Sequence, residues 1–238
     1  GKAHDAVVRG ECDYAVLPME NSEAGEVGQV MDLLFNGPLF ANRSFSLPVV
    51  HNLLGVPGAD LAGIRTVTSH PQALAQCESY ITERGWDVRN APNTAMAAKA
   101  LIASGDSSVA AIASAEAAAL YGLEVLDHDI NSSADNTTRF VVLSRIATEG
   151  STERFILMFT VKNEAGALAK AINVMGDHGF NMSALRSRPM KSLAWRYYFY
   201  IEAEGDVAST EGQAMLRELS EQCDRLKVVG RFAPNTAL

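Results

Sequence analysis

The sequence lacks the features that mark nucleic-acid-binding and membrane-spanning proteins. Its 28 aspartate and glutamate residues outnumber its 20 lysine and arginine residues, which gives a formal net charge of −8. Because a phosphate backbone is bound by a basic surface, we expect no nucleic-acid partner. No apolar run approaches the roughly 20 residues that a helix needs to cross a bilayer, so we expect no membrane partner either.

Cysteine is scarce as well. Cys12, Cys77 and Cys223 are widely spaced, form no CxxC pair and have no neighbouring histidine. A disulfide framework or a zinc site is therefore not expected, and a reducing, cytoplasmic location fits best. The sequence also contains no Gly-rich phosphate loop, no HExxH motif and no Ser/His/Asp spacing of a hydrolase triad.

The pattern of apolar residues predicts two domains. Up to residue 147, short strands and helices alternate, which indicates an α/β domain with mostly parallel strand pairing. After a polar linker, residues 152–234 follow the order strand, helix, strand, strand, helix, strand. That order is the ferredoxin-like βαββαβ arrangement. The run FSLPVVHNLL (45–54) is predicted as a single extended segment.

A single helix is predicted over residues 69–85 (SHPQALAQCESYITERG). Ser69 is a good N-cap, Pro71 suits the first turn, and Gly85 ends the helix. Gln76 lies seven residues after Ser69, which is two turns along one helix face. Both side chains could therefore point at one ligand.

Three polar motifs lie at predicted element ends: Glu20-Asn21-Ser22, residues 69–72 (SHPQ) and residues 136–140 (NTTRF). Open α/β sheets bind ligands at the carboxyl ends of their strands, so the first two motifs could face one crevice. Each motif also has a purely structural interpretation. Ser69 could be only a cap, and the Glu20 motif could cap the helix that follows it. Arg139 either pairs with an acid or holds a ligand carboxylate. His51 and His128 are most simply core or surface residues.

The order of the motifs resembles a known family. The runs DYAVLPMENSEAGEV (13–27), TSHPQALAQC (68–77), IASAEAAALYGLEVL (112–126) and NTTRFVVLSR (136–145) resemble successive motifs of prephenate dehydratases. The runs GALAKAINVMGDHGFNMSALRSRP (166–189) and AWRYYFYIEAEGD (194–206) resemble the ACT regulatory domain that those enzymes carry. The resemblance implies a two-lobed, periplasmic-binding-protein-like catalytic domain over 1–147 and a ferredoxin-like ACT domain over 152–234.

The resemblance also implies a reaction and a site. The family are lyases of phenylalanine biosynthesis that convert prephenate to phenylpyruvate, with loss of carbon dioxide and water and without metal or cofactor. Thr138 would be the essential hydroxyl, which can hydrogen-bond to the departing oxygen, whereas Thr137 does not match the motif position. Arg139 would hold a substrate carboxylate, and Phe140 would exclude water. The remaining residues implied to line the cleft are Glu20, Asn21, Ser22, Ser69 and Gln76.

By the same resemblance, L-phenylalanine would bind as an effector between ACT subunits of a homodimer or homotetramer. The implied regulatory residues are Gly166, Ala167, Leu168, Asn181, Ser187 and Arg188. The turn at residues 166–168 opens a helix, whose first N–H groups can receive the carboxylate of the amino acid. The sequence departs from the family at Arg186, where most members have glutamate, and this puts the sensitivity to phenylalanine in doubt.

A second departure lies at the start of the chain. The family opens with a strand, a Gly-Pro-x-Gly loop and a helix, and nothing like them occurs here. We therefore expect that about one βα unit, on the order of 40 residues, precedes Gly1 in the natural protein. Two alternatives remain open: an arogenate dehydratase, and a non-catalytic module that senses an amino acid. The missing loop favours the second slightly, and the intact motif 138–140 opposes it.

Overall fold

The computed structural model describes residues 1–133, 135–190 and 196–232. Over these residues the chain divides into two compact units. The first unit contains Gly1–Glu20, Glu26–Ser46 and the described residues from Arg139 onward, and the second contains Asn21–Gly25 and Leu47–Thr138. The beginning of the run 194–206 and the predicted domain end at residue 234 lie outside the described residues.

Strands and helices alternate through the first part of the chain, as the sequence predicts, and the expected βαββαβ order follows. In chain order the elements are α1 (Lys2–Val8), β1 (Ala15–Asn21), β2 (Gly25–Glu26), α2 (Gly28–Asn36), β3 (Phe40–Pro48), β4 (Asn52–Gly55), a 3₁₀ helix (Leu61–Gly63), β5 (Thr66–Ser69), α3 (Pro71–Gln76), α4 (Glu78–Arg84), β6 (Asp87–Asn90), α5 (Thr94–Ser104), β7 (Val109–Ala113), α6 (Ala115–Tyr121), β8 (Glu124–Asp127), β9 (Thr137–Ser144), β10 (Arg154–Thr160), α7 (Ala167–Asp177), β11 (Met182–Pro189), β12 (Tyr197–Glu204), α8 (Thr210–Gln222) and β13 (Arg225–Phe232).

The larger sheet has eight strands in the order β11-β12-β10-β13-β3-β9-β1-β2. Strand β10 pairs antiparallel with β12 and β13, and β11 pairs antiparallel with β12, which gives the strand order of a ferredoxin-like sheet. Strand β13 then pairs parallel with β3 through Gly230 and Ala41. A Cβ atom at Gly230 would lie 2.8 Å from the carbonyl oxygen of Ala41, so only glycine allows this approach.

Strand β10 is buried on both of its faces, which explains its uninterrupted apolar sequence. Phe155, Leu157 and Phe159 belong to a core that includes residues of α7 and α8. Ile156 and Met158 belong to a second core that includes residues of α2 and β1. Because successive side chains of a strand leave opposite faces, a strand covered on both sides needs apolar residues at every position.

The second unit contains a five-stranded sheet in the order β6-β5-β7-β4-β8. Strand β5 pairs parallel with β6 and β7, but β4 pairs antiparallel with both β7 and β8. The prediction of mostly parallel pairing is therefore wrong for β4. The run 45–54 is not one extended segment, because it contains the end of β3 and the beginning of β4. A strand that follows another strand directly, without a helical crossover, is not constrained to run parallel to its new neighbours.

The helix predicted over residues 69–85 is also wrong as a single element. It is divided at Cys77 into α3 and α4, and its N-cap is His70, whose Nδ1 accepts the N–H of Gln72 at 3.2 Å. Ser69 cannot be the cap, since it is still in β5, paired with Asn90. Ser69 and Gln76 therefore share no helix face. The longest helix of the described chain has 13 residues, and none is long and apolar enough to cross a membrane.

Candidate functional site

Asn21, at the end of β1, bonds to the end of the loop that precedes β9. Its side-chain nitrogen Nδ2 donates to Asn136 Oδ1 at 2.8 Å and to Thr138 Oγ1 at 3.0 Å. A longer contact of 3.3 Å joins the same nitrogen to the carbonyl oxygen of Thr137. Asn21 and Asn136 are buried, and Thr138 is partly exposed. The two predicted site residues Asn21 and Thr138 are thus brought into direct contact.

The oxygen of the Asn21 amide is held by the backbone that follows it. Its oxygen Oδ1 accepts the N–H of Glu23 at 3.1 Å and the N–H of Ala24 at 2.9 Å. With Oδ1 held in this way, Nδ2 is the atom that faces Thr138, and it can only donate. Thr138 Oγ1 therefore acts as an acceptor towards Asn21. Its own hydrogen is left to donate to another group.

Ser22 holds the same loop by its side chain and its backbone. Its hydroxyl donates to the carbonyl oxygen of Asp135 at 2.9 Å and accepts the N–H of Thr137 at 3.0 Å. The N–H of Ser22 donates to the carbonyl oxygen of Thr137 at 2.9 Å. Because the hydroxyl hydrogen of Ser22 is used within the protein, its visible role is to fix the backbone beside Thr138.

Ser69 and Gln76 make separate contacts in the second unit. The hydroxyl of Ser69 is fully buried and donates to the carbonyl oxygen of Ile112 at 2.6 Å, which links β5 to β7. Gln76 Oε1 lies 2.9 Å from Nε2 of the buried His51, and the Gln76 carbonyl accepts the N–H of Ser132 at 2.7 Å. These contacts give both residues a structural function, so their contact with substrate stays a prediction.

Arg139 belongs to an ion-pair network in the first unit. Its Nη1 donates to Glu202 Oε2 at 2.8 Å, and its Nη2 contacts Glu202 Oε1 and, at 3.0 Å, Glu20 Oε2. Burial alone would lower the pKa of Arg139, but the hydrogen bonds and charge of Glu202 raise it above the ordinary value. Of the two interpretations of Arg139, the structure favours the pair with an acid.

Glu202 is the most buried acid of this network, with a side chain that is 8% exposed. Tyr200 donates its hydroxyl to the same carboxylate, and Arg154 Nη2 lies 3.3 Å from it. Burial raises the pKa of Glu202, but the bonds and charge of Arg139 lower it more, so the net shift is downward. The carboxylate is therefore ionised and bonded to several donors at neutral pH.

The network continues through Arg186 on β11. Its Nη2 contacts Glu20, and its Nε lies 2.9 Å from Glu26 Oε1. Arg188 donates to the hydroxyl of Tyr198 at 3.0 Å and lies 3.4 Å from Glu26 Oε2. The predicted regulatory residue Arg188 thus pairs with groups of its own unit. Sequence reasoning missed Glu26 and Glu202, and nothing local in the sequence marks them as partners of arginine.

Arg139 and Thr138 are consecutive residues of β9, so their side chains leave opposite faces of the strand. Their partners alternate in the same way, because Glu20 and Asn21 are consecutive residues of β1. Phe140 is partly buried and stacks on Phe45, with ring centroids 5.7 Å apart.

The other predicted regulatory residues lie around α7 and β11. Gly166 has a left-handed backbone (φ +82°) immediately before α7, a conformation that favours glycine. Ala167 is buried, and Leu168 packs against the core of Phe155. Asn181 Nδ2 donates to Glu204 at 3.2 Å, and Ser187 is exposed on β11. Within the described residues, no group of three or more His, Cys, Asp and Glu side chains could hold a metal ion.

The chain is similar in sequence to dehydratases of a bacterium and a plant. The profile of the prephenate dehydratase family matches residues 1–148. A bifunctional chorismate mutase/prephenate dehydratase of Enterobacter agglomerans is 36% identical over 97% of this chain and 62% of its own length. An arogenate dehydratase/prephenate dehydratase of Arabidopsis thaliana, described as chloroplastic, is 35% identical over 99% of this chain and 65% of its own length. The chain thus spans less than two thirds of either curated relative.

Two solved structures have the same fold over nearly the whole chain. A prephenate dehydratase of Arthrobacter aurescens, solved in complex with L-phenylalanine, has a TM-score of 0.89, is 28% identical, and is matched over 100% of this chain and 81% of that one. A protein described as a novel type of quorum quenching acylase has a TM-score of 0.89, is 34% identical, and is matched over 99% of this chain and 87% of that one.

The match over residues 1–148 covers more than half of the chain and includes Asn21 and Thr138, whose side chains meet. The solved structures extend the likeness of fold to the C-terminal strands and helices. The chain belongs to the prephenate dehydratase family.

Proposed function

We propose that this protein is a prephenate dehydratase, which converts prephenate to phenylpyruvate in L-phenylalanine biosynthesis. The observation that carries the proposal is the bond from Asn21 Nδ2 to Thr138 Oγ1, 3.0 Å long. Since Oγ1 already accepts a hydrogen from an amide, the Thr138 hydroxyl can offer its own hydrogen to a ligand. A neutral hydroxyl suits this reaction because it places no charge beside the two carboxylates of the substrate.

The chemistry asks little of the protein beyond positioning and proton donation. The bond between the ring and its carboxylate breaks, and carbon dioxide leaves. The electron pair enters the ring, the ring carbon–oxygen bond breaks, and the departing hydroxyl takes up a proton to leave as water. The ring becomes aromatic, which drives the reaction. Thr138 would hydrogen-bond to the departing oxygen as negative charge develops on it, and water would restore any proton that it transfers.

Among the other predicted site residues, we propose that Asn21 orients Thr138 and that Ser22 fixes the backbone beside it. Glu20 and Arg139 bond to each other at 3.0 Å, within the ion-pair network. Both terminal nitrogens of Arg139 already bond to carboxylates, so a substrate carboxylate would compete with Glu202 and Glu20 for them. This role, like those of Phe140, Ser69 and Gln76, stays a prediction for mutagenesis.

We further propose that residues 1–147 carry the reaction and that residues 152–234 form an ACT domain that binds L-phenylalanine. Support comes from the βαββαβ order, the left-handed Gly166 before α7, and the fold shared with a dehydratase solved with L-phenylalanine. A homodimer or homotetramer is the expected assembly. Cys12, Cys77 and Cys223 are unpaired, which fits a reducing, cytoplasmic compartment.

Two other activities are represented among the relatives. Arogenate dehydration is favoured by the Arabidopsis relative and differs from the proposed reaction only in an aminated substrate. An acylase is named for one solved structure. A nucleophilic hydroxyl needs a base that accepts its proton, whereas Thr138 Oγ1 receives a hydrogen from Asn21. The contact therefore favours proton donation over acyl transfer. A non-catalytic amino-acid sensor remains the third alternative.

The test is an assay of the purified protein with prephenate, arogenate and an N-acyl amide substrate in parallel. We expect phenylpyruvate from prephenate, detected by its absorbance in alkali, at a kcat/KM well above that for arogenate. Phenylalanine formed faster from arogenate would reassign the substrate. Amide hydrolysis without dehydration would favour the acylase. Binding of L-phenylalanine without turnover of any substrate would favour the sensor.

A further inference from the structure

Asn136 is a buried polar residue that none of the predicted site assignments includes. The residue is 2% exposed, and its oxygen Oδ1 accepts the N–H of Asn21 Nδ2 at 2.8 Å. Its backbone carbonyl accepts the N–H of Val49 at 2.8 Å, which anchors the residue in the second unit. Its own amide nitrogen Nδ2 is buried and has no hydrogen-bond partner in the described part of the chain.

An unpartnered buried amide donor costs about 1–3 kcal/mol, so its retention calls for a reason. Exchanging the positions of the Asn136 amide oxygen and nitrogen would not remove this cost without loss of the hydrogen bond from Asn21. The Asn136 nitrogen would then face Asn21 Nδ2, and two donors would meet where a 2.8 Å hydrogen bond now stands. The orientation of Asn136 is therefore set by Asn21, and the orphaned nitrogen is a consequence of that bond.

The bonds form a directed chain that ends on the hydroxyl of Thr138. The N–H groups of Glu23 and Ala24 hold Asn21 Oδ1 on one side, and Asn136 Oδ1 holds Asn21 Nδ2 on the other. Held from both sides, the Asn21 amide donates to Thr138 Oγ1. Without the acceptor on Asn136, the Asn21 amide could rotate away, and the Thr138 hydroxyl could then turn its hydrogen towards a protein acceptor.

We propose that Asn136 is a positioning residue for the reaction, which acts through Asn21 to keep the hydroxyl hydrogen of Thr138 directed at substrate. The inference rests on the proposed dehydratase function and adds to it a residue that need not touch substrate. An acceptor atom at the position of Asn136 Oδ1 is the feature that matters. A residue that fills the same space without that atom should lose the effect.

The test compares Asn136→Leu, which has similar volume and no acceptor, with Asn136→Asp, which keeps an oxygen facing Asn21. Each is made alone and with Thr138→Ala. Asn136→Leu should lower kcat by about tenfold, the equivalent of one hydrogen bond, with a much smaller change in KM. Asn136→Asp should restore most of kcat, and any repulsion of the substrate carboxylates should be confined to KM. In the Thr138→Ala background, Asn136→Leu should change kcat less than about twofold, because the group through which it acts is gone.

Equal kcat losses from Asn136→Leu with and without Thr138 would overturn the proposal, as would an unchanged kcat. Asn136→Ser, whose side chain is too short to reach Asn21, replaces the leucine variant if that variant does not fold. A crystal structure of Asn136→Leu, or of Asn136→Ser where it replaces the leucine variant, supplies a readout besides activity. In that structure the distance from Asn21 Nδ2 to Thr138 Oγ1 should exceed 3.5 Å. Absence of prephenate turnover by the unaltered protein would overturn the proposed function, while a retained distance in the variant would overturn the role of Asn136.

Discussion

Replacing Glu202 by glutamine removes the charge at the centre of the ion-pair network while keeping the shape of the side chain. The carboxylate accepts from Arg139 through both of its oxygens, and it also contacts Tyr200 and Arg154. Glutamine offers one oxygen in place of two and brings an amide group that cannot accept. Within the described part of the chain, Arg139 would keep Glu20 as its one charged partner.

The expected loss of unfolding free energy follows from the burial of Glu202. The Glu202 side chain is 8% exposed, so water screens the pair poorly. Removing one partner of a buried ion pair costs about 3–5 kcal/mol. Because glutamine retains one acceptor and Glu20 remains in place, we expect the lower end, about 3 kcal/mol. For a chain of this size that corresponds to a fall of roughly 6–12 °C in Tm.

The matched control is Glu204→Gln, which makes the same chemical change two residues later on the same strand. Glu204 is exposed and bonds to Asn181 at 3.2 Å. Exposed pairs contribute about 0–1 kcal/mol, so the control should change Tm by only a few degrees. Urea unfolding and thermal unfolding at pH 7 measure both variants. Equal effects of the two substitutions would refute the reasoning, since the carboxylate of Glu202 would then stabilise no more than an exposed one.

The pH dependence of folding stability tests independently whether the charge of Glu202 stabilises the protein. Burial raises the pKa of Glu202, but Arg139 lowers it further, below the ordinary value of 4.5. A group with a depressed folded pKa contributes stability that is present above its unfolded pKa and is lost as pH falls through the folded value. The difference in unfolding free energy between the wild type and Glu202→Gln should therefore be full at pH 7. It should shrink below about pH 4.5.

Three further predictions, the first with a control substitution, test other parts of the molecule. Gly166→Val should abolish L-phenylalanine binding in calorimetry and cost about 1–3 kcal/mol, because a β-branched residue is strained at φ +82°. Gly176→Ala in α7, where a Cβ meets nothing within 4 Å, should leave binding intact. His178→Gln should reduce stability in urea more at pH 5 than at pH 9. Hydrogen bonds with Glu218 and a second glutamate of α8 raise the pKa of His178 above 6.5. The contribution of His178 to folding stability is therefore full below pH 6.5 and is lost as pH rises through the folded pKa. Arg139→Lys keeps the charge but loses the fork, and should lower the unfolding free energy by about 1–3 kcal/mol; a KM that is unchanged would limit Arg139 to the ion-pair network.

The spacing of apolar residues and the positions of glycine and proline predicted most elements of the fold, because those signals are local. Gly85 ends α4 with a left-handed backbone as expected, and the apolar run of β10 reflects a strand buried on both faces. The failures arose where tertiary contacts override local chemistry. Ser69 reads as a cap, but its backbone is committed to pairing with Asn90. The break at Cys77 has no glycine or proline to announce it.

The residues of the candidate site were predicted from the resemblance to a family and not from their spacing in the sequence. Asn21 and Thr138 are 117 residues apart, and no spacing rule joins them, so the ordered motifs of the family were needed. The partner of Arg139, Glu202, lies 63 residues further along the chain, on a mostly apolar strand that carries two glutamates. Asn136 lies in the predicted motif of residues 136–140 but was given no role, because the role of a buried amide depends on its partners in space and not on its neighbours in sequence.

The most direct test of the central claim is kcat for prephenate dehydration in Thr138→Ala, Thr138→Ser and Thr137→Ala. Loss of the donor hydroxyl should lower kcat by roughly 10²-fold or more in Thr138→Ala. Serine retains a hydroxyl that Asn21 can still bond to, so Thr138→Ser should remain within about tenfold of the wild type. Thr137→Ala should change kcat little, since the bonds from Ser22 and Asn21 reach only its backbone. Equal losses in Thr138→Ala and Thr137→Ala would contradict the account.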